Sequence, residues 1–254
     1  MLNFFPHLLN QLGTRIQNYG YLLANPSYAN VRAGKGCAEL YRLLNKTWFP
    51  SHKIQLVLDV GANEGQFIKT SLTLMPGVPV YAFEPNPGAI QTLKNCDWGG
   101  ETVTLFPIAL GSQQETLTLN VSNFSPASSI LQNSEQLTSE FPETTTEKAI
   151  SVDVERLDTV IQALGTSIDN LLLKIDVQGF ELEVLKGAVG AFKQILVIVC
   201  EVNLALLYEQ QCTLDSILAF LQNHDYQLVD IGNPVRSRTT EKVLYVDLAF
   251  IRQH

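Results

Sequence analysis

Several features are missing from this chain, and each absence removes a class of protein. No stretch reaches the roughly 18 consecutive apolar residues that a membrane-spanning helix requires. Lysines and arginines nowhere cluster into a stripe that would follow a phosphate backbone, and the net charge is −8, so no nucleic-acid partner is expected. The four cysteines, Cys37, Cys96, Cys200 and Cys212, show no C-x-x-C spacing. The four histidines, His7, His52, His224 and His254, are equally scattered, which leaves no His-based metal cluster in view. The opening residues Met1-Leu-Asn-Phe-Phe-Pro6 carry neither the basic flank nor the long apolar core of a signal peptide. A soluble, cytoplasmic chain with reduced thiols is therefore expected. Peripheral attachment through the N-terminal segment stays open.

What is present suits one α/β domain with a full core and a modest extension: 254 residues, 46% hydrophobic and 17% charged. The chain turns on residues 56–67. Leu56 to Val60 is a short apolar run, interrupted by Asp59, that reads as a buried parallel strand. Gly61 and Gly65 bracket the loop Ala62-Asn63-Glu64, and a helix is expected from Phe67 to Leu74. Strand, glycine loop and helix open a doubly wound nucleotide-binding sheet, and the glycines let backbone pass close to a ligand. Val80 to Glu84 reads as the second strand, closed by Pro85 and followed by Asn86. Glu84 stands about 20 residues beyond the glycine loop, where an acid accepts hydrogen bonds from ribose hydroxyls.

The ligand's other half follows from charge. A dinucleotide loop takes the pattern G-x-G-x-x-G around a pyrophosphate. This loop has two glycines, and Asp59 stands where a first glycine would be. A carboxylate repels a pyrophosphate but attracts an ammonium or sulfonium group. S-adenosylmethionine has a ribose, no phosphate and a cationic sulfur, so it is the expected cofactor. An NAD(P)-dependent oxidoreductase is the alternative reading, and a strand–loop–helix protein that binds the cofactor without catalysis is a third.

Residues 1–50 read as an N-terminal helical extension to a cofactor-binding domain spanning 51–254. Leu8, Leu9, Leu12 and Ile16 fall at helical spacing, as do Leu40, Leu43 and Leu44, with Pro26 and Gly34-Lys35-Gly36 as breaks. Such aliphatic stripes usually face a core; a lid or a dimer contact is the sharper alternative. A third strand is expected over Glu101 to Ala109, with Ala109 beside an adenine ring. About 112–154 departs from the βα alternation. Strands over Glu115–Val121 and Ile150–Val154 suggest a β-hairpin-like insertion, with a Ser-rich loop that brings Ser128 and Ser129 toward a substrate. Further strands are expected at 170–176, 195–201, 227–231 and 243–251, and Thr213 is a plausible helix cap. The result is a sheet of about seven strands with the last one antiparallel. Asp59, Glu84, Asp176 and Glu201 all stand at or near strand carboxyl ends, where ligands bind in such sheets. His224, in Gln-Asn-His-Asp before a strand, reads as a solvated loop residue at the opposite end.

Three segments carry a resemblance: Val57-Leu-Asp-Val-Gly-Ala-Asn-Glu-Gly-Gln-Phe67, Ala82-Phe-Glu-Pro-Asn86 and Leu172-Leu-Lys-Ile-Asp-Val-Gln-Gly-Phe-Glu181. Together they resemble the FkbM-type methyltransferases, over roughly residues 55–205. The resemblance implies a class I methyltransferase fold and O-methylation of a hydroxyl on a sugar, glycolipid or other secondary metabolite. On it, Asp59, Gly61, Ala62, Asn63, Gly65, Glu84, Pro85, Asn86, Ala109 and Asp176 are expected to bind S-adenosylmethionine. Asp176 and Glu201 are the candidate catalytic acids. Asp176, Glu181 and Glu201 could supply carboxylate oxygens to Mg²⁺. The acceptor and the oligomeric state, a dimer included, are not specified.

Overall fold

The structure is a computed structural model that describes residues 20–165 and 168–253. The stripe of Leu8, Leu9, Leu12 and Ile16 lies outside the described residues. Apolar runs punctuated by glycine and proline form the central sheet: β1 (Leu56–Val60), β2 (Val80–Phe83) and β3 (Val103–Phe106). The third strand is shorter than its sequence pattern predicts. Pro107 offers no N–H to a ladder, so the chain leaves the sheet there. Residues Ala109–Leu110 instead form β4 of a second sheet, with β5 (Glu115–Ser122) and β6 (Thr146–Glu155). The insertion is thus a three-stranded sheet, with β5 and β6 antiparallel and β4 parallel to β6, rather than a bare hairpin. The sixth strand begins ahead of its alternating segment because residues 146–149 are solvent-exposed and carry no apolar signal.

The chain returns to the main sheet through β7 (Leu171–Ile175), β8 (Ile195–Asn203), β9 (Tyr226–Ile231), β10 (Val235–Arg236) and β11 (Val243–Arg252). The parallel order is β3-β2-β1-β7-β8. Next to β8 lies β11, antiparallel, with β9 and the short β10 on its far side, which makes eight strands. The expected antiparallel last strand is there; the additional strand is the two-residue β10.

Helices cover both faces: α1 (Pro26–Ala33), α2 (Ala38–Leu44), α3 (Gln66–Leu74), α4 (Pro87–Lys94), α5 (Glu135–Glu140), α6 (Leu157–Ala163), α7 (Glu181–Ala188) and α8 (Leu214–Gln222). On one face Leu58, Leu173 and Ile198 pack with Leu157, Leu185 and Ile217. On the other Val57, Leu172 and Val199 pack with Phe67 and Ile68 and with Leu40, Leu43 and Leu44 of the N-terminal extension. The extension therefore completes the core. Local chemistry sets the helix starts. Thr213 and Ser216 form a reciprocal capping box on α8, and Pro87 opens α4 behind the Asn86 cap. His224 follows α8; its Nδ1 lies 2.8 Å from the Phe220 carbonyl and its ring packs on Phe192, at the end of the sheet where β8 begins.

Candidate active site

The loop after β1 is built on one glycine. Gly61 has φ of +79°, and a Cβ there would lie 1.9 Å from the Asp176 carbonyl oxygen. No side chain fits between the β1 loop and the end of β7 without backbone movement. Gly61→Ala is expected to lower stability by more than the ~1–3 kcal/mol of backbone strain alone, read by urea unfolding. Gly65, with φ of +86°, starts α3 and packs against Trp98 and Leu93. It shapes the loop from behind and is not among the residues lining the cavity.

Glu84, at the carboxyl end of β2, is held by two main-chain donors: Asn63 N to Oε2 and Asn86 N to Oε1, both 2.8 Å. Each oxygen keeps a further lone pair for a ligand hydroxyl. Burial pushes its pKa up to about 7, against the lowering pull of those two N–H groups. Pro85 lines the cavity beside it. Asn86 does not: its side chain accepts from Gly88 N at 3.0 Å and caps α4.

Asp59 is placed differently from its sequence reading. It is fully buried and faces Lys174, its register partner on β7, with Oδ1 3.5 Å from Nζ. Neither carboxylate oxygen makes a hydrogen bond, and neither faces the cavity. The charge reserved for a cationic ligand is instead matched by a lysine. Lys174 Nζ also lies 3.3 Å from Asp176 Oδ2 and 3.3 Å from the Gly61 carbonyl. Burial opposes the lysine charge, but Asp176 and Asp59 outweigh it and hold its pKa above the ordinary value. Burial raises the Asp59 pKa, and Lys174 works against that rise. A lysine inside Leu-Leu-Leu-Lys-Ile, two residues before an acid and so on the same face, was the signal available in the sequence.

Asp176 lines the cavity with its side chain 31% exposed. Glu201 does not line it; its Oε1 accepts from Gln178 Nε2 at 3.1 Å, behind Asp176. Burial and the neighbouring Asp176 and Asp247 raise the Glu201 pKa well above the ordinary range. Asp247 is the register partner of Glu201 on β11, and its pKa is pushed up to about 7 by burial and Asp176. Glu181 faces inward, 1% exposed, and its Oε1 accepts from Val177 N and Gly179 N, at 3.2 and 2.9 Å, tying the turn into α7. That arrangement corrects the expected Mg²⁺ set. Among the described residues no group of three or more His, Cys, Asp or Glu is placed to hold a metal.

A cleft open to solvent joins the glycine loop, Glu84 and Asp176. Gly61, Ala62 and Asn63 form one wall, and Phe83, Ile108 and Ala109 an apolar one. The insertion contributes Ser125, Ser128, Ser129 and Ile130, and the extension contributes Cys37 and Leu40, which the sequence reading did not anticipate as site residues. Ser125 Oγ donates to Asn63 Oδ1 at 2.7 Å and fastens the insertion to the glycine loop. Ser128 Oγ accepts from Ser122 N at 3.1 Å. Ser129 is buried, donates to the Gln178 carbonyl at 2.7 Å and accepts from Leu131 N, so its hydroxyl is already used by the fold.

The residues present fit S-adenosylmethionine: a loop no Cβ can enter, a strand-end acid with spare lone pairs, and an apolar wall for a base. With the strand order above, these features define a class I, S-adenosylmethionine-dependent methyltransferase. The methyltransferase FkbM domain model matches residues 59–228, and the chain belongs to that family. It is 29% identical to the 2-O-methyltransferase NoeI of Sinorhizobium fredii over 178 residues, 67% of this chain and 72% of the relative. It is 27% identical to the 31-O-demethyl-FK506 methyltransferase FkbM of Streptomyces tacrolimicus over 244 residues, 83% of this chain and 89% of the relative. Among solved structures it matches the methyltransferase FkbM of Methylobacillus flagellatus KT at TM-score 0.48 and 16% identity, covering 77% of this chain and 44% of that one.

Proposed function

We propose that this protein transfers a methyl group from S-adenosylmethionine to a hydroxyl of a small molecule or glycan, drawn from the sugars, glycolipids and secondary metabolites. One observation carries the reading. The part-exposed Asp176 carboxylate lies in the same cleft as Gly61 and Glu84. The cofactor supplies an electrophilic methyl carbon. The protein's own task is to hold the acceptor oxygen in line with it and to take the hydroxyl proton, and positioning alone can supply most of the acceleration.

In this reading Glu84 holds the ribose diol, and the Gly61–Asn63 backbone supports the methionine half. Ala109 and Ile108 lie along the base. Asp176 receives the acceptor hydroxyl, with Ser128 beside it. Glu201 is proposed to act behind Asp176 rather than on the acceptor directly. Mg²⁺ has no part in the proposal: Glu181 Oε1 accepts two main-chain N–H groups, Oε2 faces Cys212 Sγ at 3.5 Å, and neither Glu181 nor Glu201 lines the cleft. Among the described residues no helix is long and apolar enough to cross a membrane, and all four cysteines are free, which supports the cytoplasm as the compartment.

Thermal unfolding with S-adenosylhomocysteine, and separately with NAD, tests the cofactor. At 100 times its dissociation constant a ligand stabilises by about 2.7 kcal/mol. A shift with S-adenosylhomocysteine alone, lost in Glu84→Ala, is expected. A shift with NAD alone would move the chemistry to hydride transfer. The acceptor is then sought by following S-adenosylhomocysteine release over a panel of glycosides and hydroxylated metabolites. Cofactor binding with no turnover across acceptors of every class would favour a non-catalytic binding protein.

A further inference from the structure

The turn from β7 into α7 carries more polar wiring than a turn needs. Gln178 sits there with φ of +58°, in the left-handed region that non-glycine residues seldom adopt. Its Nε2 donates to Asp176 Oδ1 at 2.7 Å and to Glu201 Oε1 at 3.1 Å. Its Oε1 accepts from the Tyr208 hydroxyl at 2.6 Å, and its main-chain carbonyl accepts from Ser129 Oγ at 2.7 Å. One residue thus joins the end of β7, the end of β8, the segment beyond β8 and the insertion.

The side-chain type matters. A primary amide places two N–H donors between two carboxylates and still offers an oxygen behind them. A carboxylate in its place would face Asp176 and Glu201 with no donor at all. The amide works only one way round, because the reversed group would set its oxygen against both acids. Tyr208, fully buried, fixes that choice. Burial, with Glu201 and Asp176 nearby, raises its pKa, so the hydroxyl stays protonated and donates. Asp176 in turn has both oxygens fixed, Oδ1 by Gln178 and Oδ2 by Lys174.

We propose that Gln178 is a positioning residue: its amide, oriented by the Tyr208 hydroxyl, holds the Asp176 carboxylate for the acceptor, separates it from Glu201 and ties that arrangement to the insertion through Ser129. This rests on the assignment of Asp176 to the acceptor. The position of the insertion and the alignment of the acid are thereby linked, since Ser129 and Asp176 are held by the same residue.

The test uses the full chain saturated with S-adenosylhomocysteine. Side-chain carboxyl carbons of Asp and Glu are isotopically labelled and titrated by NMR, and S-adenosylhomocysteine affinity is measured by calorimetry. Gln178→Glu keeps the shape and the acceptor for Tyr208 but removes both donors. It is expected to raise the apparent pKa of Glu201, which loses its amide donor, by an amount on the order of a tenfold change in proton affinity. Tyr208→Phe is expected to shift it in the same direction by less, and it provides the test should Gln178→Glu not fold. Affinity for S-adenosylhomocysteine should be retained in both. Identical titration of Glu201 in the wild type and the folded variants overturns the proposal. Asp176→Asn separates this from the underlying reading: loss of S-adenosylhomocysteine affinity there would make Asp176 a cofactor anchor and overturn its assignment to the acceptor, whatever the titrations show.

Discussion

Lys174→Met is expected to lower the free energy of unfolding by about 3–5 kcal/mol, the usual result of removing one partner from a buried ion pair. The reason lies in Asp59. It is 0% exposed, neither of its oxygens makes a hydrogen bond, and Lys174 is the cation against it. Methionine fills the volume of the lysine stem but leaves Asp59 with no counter-charge and Asp176 Oδ2 without its partner. The Gly61 carbonyl, 3.3 Å from Nζ, also loses its contact, so the glycine loop should loosen and the S-adenosylhomocysteine shift should shrink. Urea unfolding of Lys174→Met, Asp59→Asn and the double variant closes a double-mutant cycle. The double variant should recover much of the loss, because a neutral amide no longer needs the lysine. A cost below ~1 kcal/mol for Lys174→Met would mean that Asp59 is already protonated in the native protein, and the ion-pair account would fall.

Asp59 also shows how the sequence can lead to a sound conclusion through the wrong contact. Its position before Gly61 argues against a pyrophosphate. Yet the positive charge it meets is that of Lys174 on the neighbouring strand, not a ligand's. Strand register decides this, and register is a long-range property: Asp59 and Lys174 are paired across β1 and β7, more than a hundred residues apart in sequence. Features that depend on local chemistry were legible. The apolar runs of β1, β7 and β8, the Thr213 cap and the strand-end acids are each determined by a few adjacent residues. Features that depend on how distant segments meet were not. Glu181 read as an oxygen ligand for Mg²⁺, and it is buried with Oε1 accepting from Val177 N and Gly179 N. Ser129, read as a substrate contact, lines the cleft, and what no local pattern showed is that its hydroxyl donates to the Gln178 carbonyl. The early part of β6 is exposed and polar, so its pairing with β5 leaves no trace in hydrophobic alternation. Asp247 gave no signal either, because its role comes from standing opposite Glu201 in the antiparallel strand.

The ligand-free protein is expected to be markedly more stable near pH 5 than near pH 8. Glu84 and Glu181 have pKa values of about 7, raised by burial despite main-chain N–H donors, and Asp247 is likewise pushed up to about 7 by burial and Asp176. In the unfolded chain such groups titrate near 4. Between those values the native state holds protons that the unfolded state has released. Stability from these groups is therefore complete below the unfolded pKa and is lost as pH rises through about 7. Fully buried Glu84 and Glu181 each contribute on the order of 3 kcal/mol to this fall. Acids with lowered pKa values, such as Asp158 beside Arg156 and Asp230 beside Lys46, act in the opposite sense, but their stabilisation is already complete at the acid end of this window. Cofactor binding should run against the trend. An ionised Glu84 accepts ribose hydroxyls better than a neutral one, so S-adenosylhomocysteine affinity is expected to rise through pH 7 as apo stability falls, with proton release on binding at pH 6. Chemical unfolding from pH 5 to 8 and calorimetry in buffers of different ionisation enthalpy read both effects. A flat stability profile would show that these carboxyls ionise normally within the fold, and Glu84→Gln should remove the pH dependence of binding while leaving the Glu181 part of the stability slope in place.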